Sequence, residues 1–275
     1  MVSISGVITF RDCIKTGYPF MEAILSTLPM VDEYLVNDGG STDGTKEYVD
    51  QLAELFPEKI HVHNIPDYKS DKWDCVSEQY NTMIAEATGD WVFQGDADEV
   101  LHENDLEPLQ YIIMHVSDHV DVLEHPRREL KSWTRLSSGR PYYPARTARN
   151  IPNLHQRWPG YGGDEFLDDK GWIRHPRKIK CDVMIWHLYV VFPGNVLEKR
   201  KNDALFVAPG DKYRVEIYER YKERTNREYP DRVIKDPILN LPALVRGLVG
   251  WGRYRVREEL FDIDWLEQTT GLKYS

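Results

Sequence analysis

Gly95-Asp96-Ala97-Asp98-Glu99 sets two carboxylates two residues apart, one residue beyond the apolar run Trp91-Val92-Phe93. An apolar run of that length next to turn residues reads as a short buried strand. Acids at such a strand end can converge on one divalent cation. Hard cations such as Mg²⁺ and Mn²⁺ take oxygen ligands and usually keep a phosphate in their coordination sphere. A metal-held diphosphate is the chemistry these residues suggest. The plain alternative, an acidic turn capping the next helix, stays open for an isolated pair of this kind.

Two further segments have chemical potential. Asn37-Asp38-Gly39-Gly40-Ser41-Thr42-Asp43-Gly44-Thr45 is a glycine-rich turn in which Ser41 or Thr42 can cap a helix. Capping does not account for Asp38 at the carboxyl end of the preceding strand. An acceptor there can bind the N–H edge of a uracil or guanine, or a ribose hydroxyl. Downstream, the segment from Tyr161 to Asp169 (Tyr-Gly-Gly-Asp-Glu-Phe-Leu-Asp-Asp) offers carboxylates on a loop, either a source of a general base or an acidic surface.

The elements that must position these residues alternate. Val7 to Phe10, Tyr34 to Val36, Ile60 to His63 and Trp91 to Phe93 read as strands. Gly17 to Leu28, Thr42 to Phe56 and Lys72 to Ala87 read as helices between them. The alternation predicts an α/β fold with an open, mostly parallel sheet and helices on both faces. In such sheets ligands sit outside the carboxyl ends of the strands, where the acids fall. From about Arg127 an Arg- and aromatic-rich texture predicts hairpins and loops. Ile185 to Phe192 reads as a strand, and 195–205 and 212–224 as helices. Leu241 to Phe261 reads as a helix or helical hairpin, with Gly247, Gly250 and Gly252 interrupting it.

The chain has 275 residues, 41% hydrophobic and 29% charged, with a net charge of −10. Such an acidic balance argues against a large nucleic-acid footprint. The three cysteines (Cys13, Cys75, Cys181) are too scattered for a disulfide framework or a zinc cluster, which predicts reduced thiols in a cytoplasmic protein. No signal peptide is visible at the N-terminus, and no apolar run approaches the roughly 20 residues of a membrane span.

The motifs resemble those of the family 2 glycosyltransferases, inverting enzymes of the GT-A fold. The family's opening strand is matched by Ile8-Thr9-Phe10-Arg11-Asp12, and its acidic turn by Val36-Asn37-Asp38 through Thr45, with Asn37 in place of the first acid and one extra glycine. Glu78-Gln79-Tyr80-Asn81, Ala87-Thr88-Gly89-Asp90-Trp91-Val92 and Asp96-Ala97-Asp98-Glu99 follow in the family's order. The resemblance covers about residues 4 to 110. It implies a GT-A domain over 1–205, with a nucleotide-binding half at 1–110 and an acceptor half at 111–205, and a helical extension over 206–275.

It also implies transfer of a sugar from a nucleotide-sugar donor, UDP ahead of GDP, to an acceptor hydroxyl, with Mn²⁺ or Mg²⁺ as cofactor. Asp38 would take the base, with Thr9, Arg11, Lys72, Trp73, Asp96 and Ala97 around the nucleotide. A weaker match, His187-Leu188-Tyr189 followed by Glu198-Lys199-Arg200, offers His187 as a metal ligand beside Asp96 and Asp98, and Lys199 as a diphosphate contact. The base would be Asp164 first and Glu165 second, with His155, Arg157 and Trp158 near the sugar. The acceptor could be a glycan, a lipid-linked sugar, a protein or a modified nucleobase. The apolar, Arg-rich tail could pack on the domain, join a second subunit or lie at the inner face of a membrane.

Two other readings remain. Asp96-Ala97-Asp98-Glu99-Val100-Leu101 also fits the nucleophile motif of haloacid dehalogenase-like phosphatases, though three strand–helix units precede it. An inactive nucleotide-sugar-binding protein would keep the same fold. There is no P-loop and no GxGxxG, and a sugar-1-phosphate nucleotidyltransferase would want glycines after the first strand.

Overall fold

The computed structural model describes residues 2–65, 74–133, 135–136, 142–157, 165–174, 176–188, 191–195, 232–233, 241–251 and 253–274. The predicted helices over 195–205 and 212–224, together with Lys72, Trp73, Trp158, Asp164 and Lys199, lie wholly or almost wholly outside them.

Four strands form the parallel centre of the sheet: β1 (Ile4–Phe10), β2 (Glu33–Asp38), β3 (Ile60–His63) and β4 (Trp91–Gly95), in the order β3-β2-β1-β4. Their apolar runs are buried on both faces, as a parallel sheet covered by helices requires. Ile8 and Phe10 face one core; Val7, between them and Ile4, faces the other. Helices α1 (Cys13–Thr16), α2 (Phe20–Thr27), α3 (Thr45–Leu55), α4 (Asp74–Glu86) and α5 (Leu106–His115) connect or flank these strands. Phe20, Ile24, Val49, Leu52, Leu106 and Leu109 from α2, α3 and α5 pack on the first face; Tyr80, Met83 and Ile84 from α4 pack on the second.

Past β4 the chain leaves the main sheet. β5 (Glu99–Leu101) starts immediately after the Asp-x-Asp turn. β6 (Val122–Glu124) returns to the main sheet, while β7 (Arg127–Ser132) and β8 (Arg135–Leu136) form a hairpin. β9 (Ala145–Arg149) lies antiparallel between β4 and β6. β10 (His155–Arg157), β11 (Glu165–Asp168) and β12 (Gly171–Trp172) make a separate three-stranded sheet. β13 (Lys178–Lys180) closes the seven-stranded sheet beside β6. β14 (Ile185–His187) joins a second, five-stranded sheet between β7 and β5, whose far edge is β15 (Arg232–Val233) on β8.

Three elements differ from the sequence reading. The helix expected over Gly17 to Leu28 begins only at Phe20, as α2, because Gly17 at φ 75 is the left-handed cap that ends the separate short α1. α3 begins at Thr45 rather than Thr42, because Ser41 to Asp43 are bound to the first strand's end. The tail forms one helical turn, α6 (Ala243–Arg246), and then irregular chain; the longer helix α7 (Ile263–Thr270) lies beyond the predicted span. Glycines at 247 and 250 and a backbone carbonyl fixed by Arg257 end the helix early. Leu244, Leu248, Tyr254 and Leu266 of this tail share the core of α2. No helix among the described residues is long and apolar enough to cross a membrane.

Candidate active site at the strand ends

The ends of β1 and β2 are clamped together by side chain to backbone bonds. Asp12 holds a left-handed conformation at φ 49, and its carboxylate accepts from the Thr42 amide at 2.8 Å. Asp43 accepts from the Lys15 amide at 2.7 Å, and the Ser41 hydroxyl from the Asp12 amide at 2.8 Å. Asp38 ends β2 and is 2% exposed. Its Oδ2 accepts from the Gly40 and Ser41 amides at 3.1 and 2.9 Å. Its Oδ1 is buried and has no hydrogen-bond partner among the described residues. Leaving a buried carboxylate oxygen unsatisfied is costly, so such an atom points to a missing donor.

Thr9, expected near the nucleotide, is instead buried, and its hydroxyl donates to Gln79 Oε1 at 2.6 Å. Asn37 donates to the same pair at 3.0 and 3.1 Å, tying α4 to the sheet. Arg11 stays two-fifths exposed, its Nε 3.6 Å from Asp12.

At the end of β4 the backbone is tightly confined: a Cβ on Gly95 would sit 2.9 Å from the Tyr34 hydroxyl. Asp96 follows, its carboxylate accepting from Tyr80 Oη at 3.0 Å and from Arg146 Nη2. Arg146, on β9 and only 1% exposed, also binds Glu99 through two bonds, Nε to Oε2 at 2.7 Å and Nη2 to Oε1 at 2.9 Å. Arg127 stands 3.7 Å from the same Glu99. Burial would raise the Glu99 carboxyl, but the Arg146 charge and hydrogen bonds, with Arg127 and His187, hold it below its ordinary value. Ala97 is 8% exposed between the two acids.

The ladder between β5 and β14 delivers the imidazole. His187 is paired with Glu99, and the Leu188 amide donates to the Asp98 carbonyl at 2.7 Å. His187 Nε2 therefore lies 3.4 Å from Asp98 Oδ2. Two ligands at right angles on an octahedral cation with bonds of about 2.1 Å lie about 3 Å apart. The pair thus has the spacing and the mixed oxygen–nitrogen character that Mn²⁺ accepts. The three ligands expected from the sequence do not form one cluster: no three acidic, imidazole or thiol groups converge among the described residues, and Asp96 is drawn to Arg146. The protein can offer Asp98 and His187, with phosphate oxygens and water completing the sphere.

In the second half of the chain, Glu165 opens β11 and is bound by Lys178 Nζ at 2.9 Å, which also reaches Glu124 at 3.1 Å. Asn81 on α4 fastens β10, donating to the Gln156 carbonyl at 3.0 Å and accepting from its amide at 2.6 Å. The sequence reading passed over Arg146, Glu99, Tyr80 and Asp12 as parts of the site. Arg146 was one of many arginines in a stretch without clear periodicity; the positive φ of Asp12 leaves no mark in the sequence. The phosphatase reading fails on topology: Asp96 follows the fourth strand of the parallel centre, not the first, and its carboxylate is bonded to a buried guanidinium.

A family model described as Glycosyl transferase family 2 matches residues 7–163. No curated protein matches the chain by sequence. Among solved structures, S. aureus TarS 1–349 in complex with UDP matches at 19% identity over 47% of this chain and 36% of its own, with a TM-score of 0.37. The mannosyltransferase PcManGT from Pyrobaculum calidifontis, in complex with GDP-Man and Mn²⁺, matches at 20% identity over 46% and 36%, TM-score 0.36. Glucosyl-3-phosphoglycerate synthase from Mycobacterium tuberculosis, with Mn²⁺, UDP and glucosyl-3-phosphoglycerate, matches at 21% identity over 46% and 44%, TM-score 0.34. The chain spans less than half the length of each of these three structures.

Proposed function

The chain belongs to glycosyl transferase family 2, and from that membership we propose that it moves a sugar from a nucleotide-sugar donor to an acceptor hydroxyl, with inversion. The observation that supports this most is the juxtaposition of Asp98 and His187 at the carboxyl end of the sheet, two strands from a buried Asp38 oxygen that has no hydrogen-bond partner among the described residues.

In this reading Asp38 Oδ1 accepts from the nucleobase or ribose, filling the vacancy its burial creates. Asp98 and His187 hold Mn²⁺ or Mg²⁺, with Asp96 and Ala97 beside the nucleotide. The cation, when bound, neutralises the charge that grows on the leaving diphosphate. Arg11 is exposed near the β1 end and free to turn toward phosphate. Lys72, Trp73 and Lys199 remain the proposed outer contacts to the donor.

The acceptor hydroxyl needs a base on the far side of the sugar. Asp164 takes that part here, because its sequence neighbour Glu165 is already bound to Lys178 and serves as the anchor of β11. UDP-sugars and GDP-mannose are the donors to try first, in view of the nucleotides bound in the structures named above. The test is a thermal-shift screen of UDP and GDP with and without Mn²⁺, followed by donor hydrolysis. Mn²⁺-dependent stabilisation by one nucleotide supports the reading; stabilisation by neither, with no turnover, refutes it. An inactive binding protein would show stabilisation without turnover.

A further inference from the structure

We infer that Arg146 is a positioning residue that decides which acid of the Asp-x-Asp turn meets the cation. This rests on the metal-dependent reading above. Arg146 carries its guanidinium into the sheet at 1% exposure, with Glu99 as a two-bonded counter-ion, and its Nη2 holds Asp96 as well. The Tyr80 hydroxyl, 2.7 Å from the Gly95 carbonyl, also lies 3.0 Å from the other Asp96 oxygen. Asp96 is held by Arg146, while Asp98 faces His187.

Charge gives this arrangement a consequence. Asp96, Asp98 and Glu99 would together present three negative charges, which Arg146 and Arg127 reduce to one. With Asp96 neutralised by its guanidinium, a divalent cation on Asp98 and His187 keeps a net positive charge toward the diphosphate. Were Asp96 also a ligand, that charge would be cancelled, and the cation would bind well alone but pull weakly on a leaving group. Arg146 thus weakens the binding of bare metal and couples metal binding to the donor, whose phosphates complete the sphere. The planar guanidinium binds Glu99 through two parallel donors while reaching Asp96, a fixed fork geometry that a compact lysine ammonium lacks.

The test is a Mn²⁺ titration read by the EPR signal of free Mn²⁺, first with the metal alone and then with saturating UDP or GDP. Wild type, Arg146→Lys and the charge-balanced pair Glu99→Gln/Arg146→Gln are compared. The double variant removes the buried counter-ion together with the guanidinium, so no lone charge is left inside. The expected result is that it binds Mn²⁺ alone about tenfold more tightly than wild type and shows a smaller gain on adding nucleotide. Arg146→Lys is expected to move the same way, by a few-fold, and carries the test if the double variant does not fold.

A merely structural role would weaken metal binding in both variants. Bare Mn²⁺ affinity unchanged or reduced in both, with wild type binding Mn²⁺ normally in the presence of nucleotide, overturns the role of Arg146 alone. Absence of Mn²⁺ binding by wild type with either nucleotide overturns the metal reading, and this inference with it.

Discussion

His187 Nε2 stands 3.4 Å from Asp98 Oδ2, brought there by the antiparallel pairing of β14 with β5. Asp98 sits in the turn between β4 and β5, so one end of the pair is fixed by the parallel sheet and the other by a second sheet. The pair lies where those two sheets part, Asp98 in a tight turn between two strands and His187 on β14.

Replacing either partner should remove the cation's grip. Asp98→Asn and His187→Ala are each expected to lower kcat/KM by about 10²–10³-fold, the scale of losing one strong electrostatic contact to a leaving group. Both should abolish the Mn²⁺-dependent part of the thermal stabilisation by nucleotide while leaving a folded protein. Calorimetric melts with and without Mn²⁺ check this.

The base assignment separates two neighbouring acids. Asp164→Asn is expected to keep donor binding and to lose about 10²–10⁴-fold in transfer rate. Glu165→Gln should cost stability by loosening Lys178, with a smaller effect on kcat. Single-turnover transfer assays on both variants measure the difference; equal losses would reassign the base.

Asn81 offers a test of how β10 is held and whether that strand serves the acceptor. It makes two hydrogen bonds to the backbone of Gln156, at 3.0 and 2.6 Å, and so fixes β10 on α4. Asn81→Ala is expected to destabilise by about 1–3 kcal/mol, the cost of leaving buried backbone groups unpaired. Acceptor KM should rise while nucleotide affinity holds, as chemical denaturation and steady-state kinetics would report.

Glu22 predicts a pH dependence of stability. It is fully buried on α2, with the Tyr254 hydroxyl at 2.9 Å and Arg257 at 3.4 Å. Burial pushes its carboxyl above the ordinary 4.5, and the Arg257 charge and the hydrogen bonds only partly oppose this. Above that ordinary value the native state binds more protons than the unfolded chain, so stability falls as pH rises toward the raised pKa. In Glu22→Gln this slope vanishes. Its melting temperature relative to wild type should therefore climb with pH from about 4.5 upward; a flat or falling difference would contradict the assignment.

Local signals carried much of the fold, and tertiary ones were lost. The four parallel strands and the acids after β4 were legible because each is announced within a few residues by an apolar run and a turn. The short α1 ending at Gly17 was not, because Asn195 presses on that glycine from far along the chain. Asp96 and Asp98 look equivalent in sequence, yet a guanidinium from β9 meets one and an imidazole from β14 the other. Thr9 is a polar residue at a strand end, and no local signal announces that its hydroxyl faces inward to Gln79. The tail's glycines were visible, but not the helix at Ile263–Thr270, capped by Asp262 accepting from the Trp265 amide at 3.0 Å.

The central claim concerns where a cation and a pyrophosphate meet this sheet. An anomalous difference map from crystals grown with Mn²⁺ and UDP tests it directly. The expected map has one manganese peak at about 2.2 Å from Asp98 Oδ2 and His187 Nε2, bridged to both phosphates, with Asp96 still on Arg146. A peak bound elsewhere, or a bound nucleotide with no metal between Asp98 and His187, would contradict it.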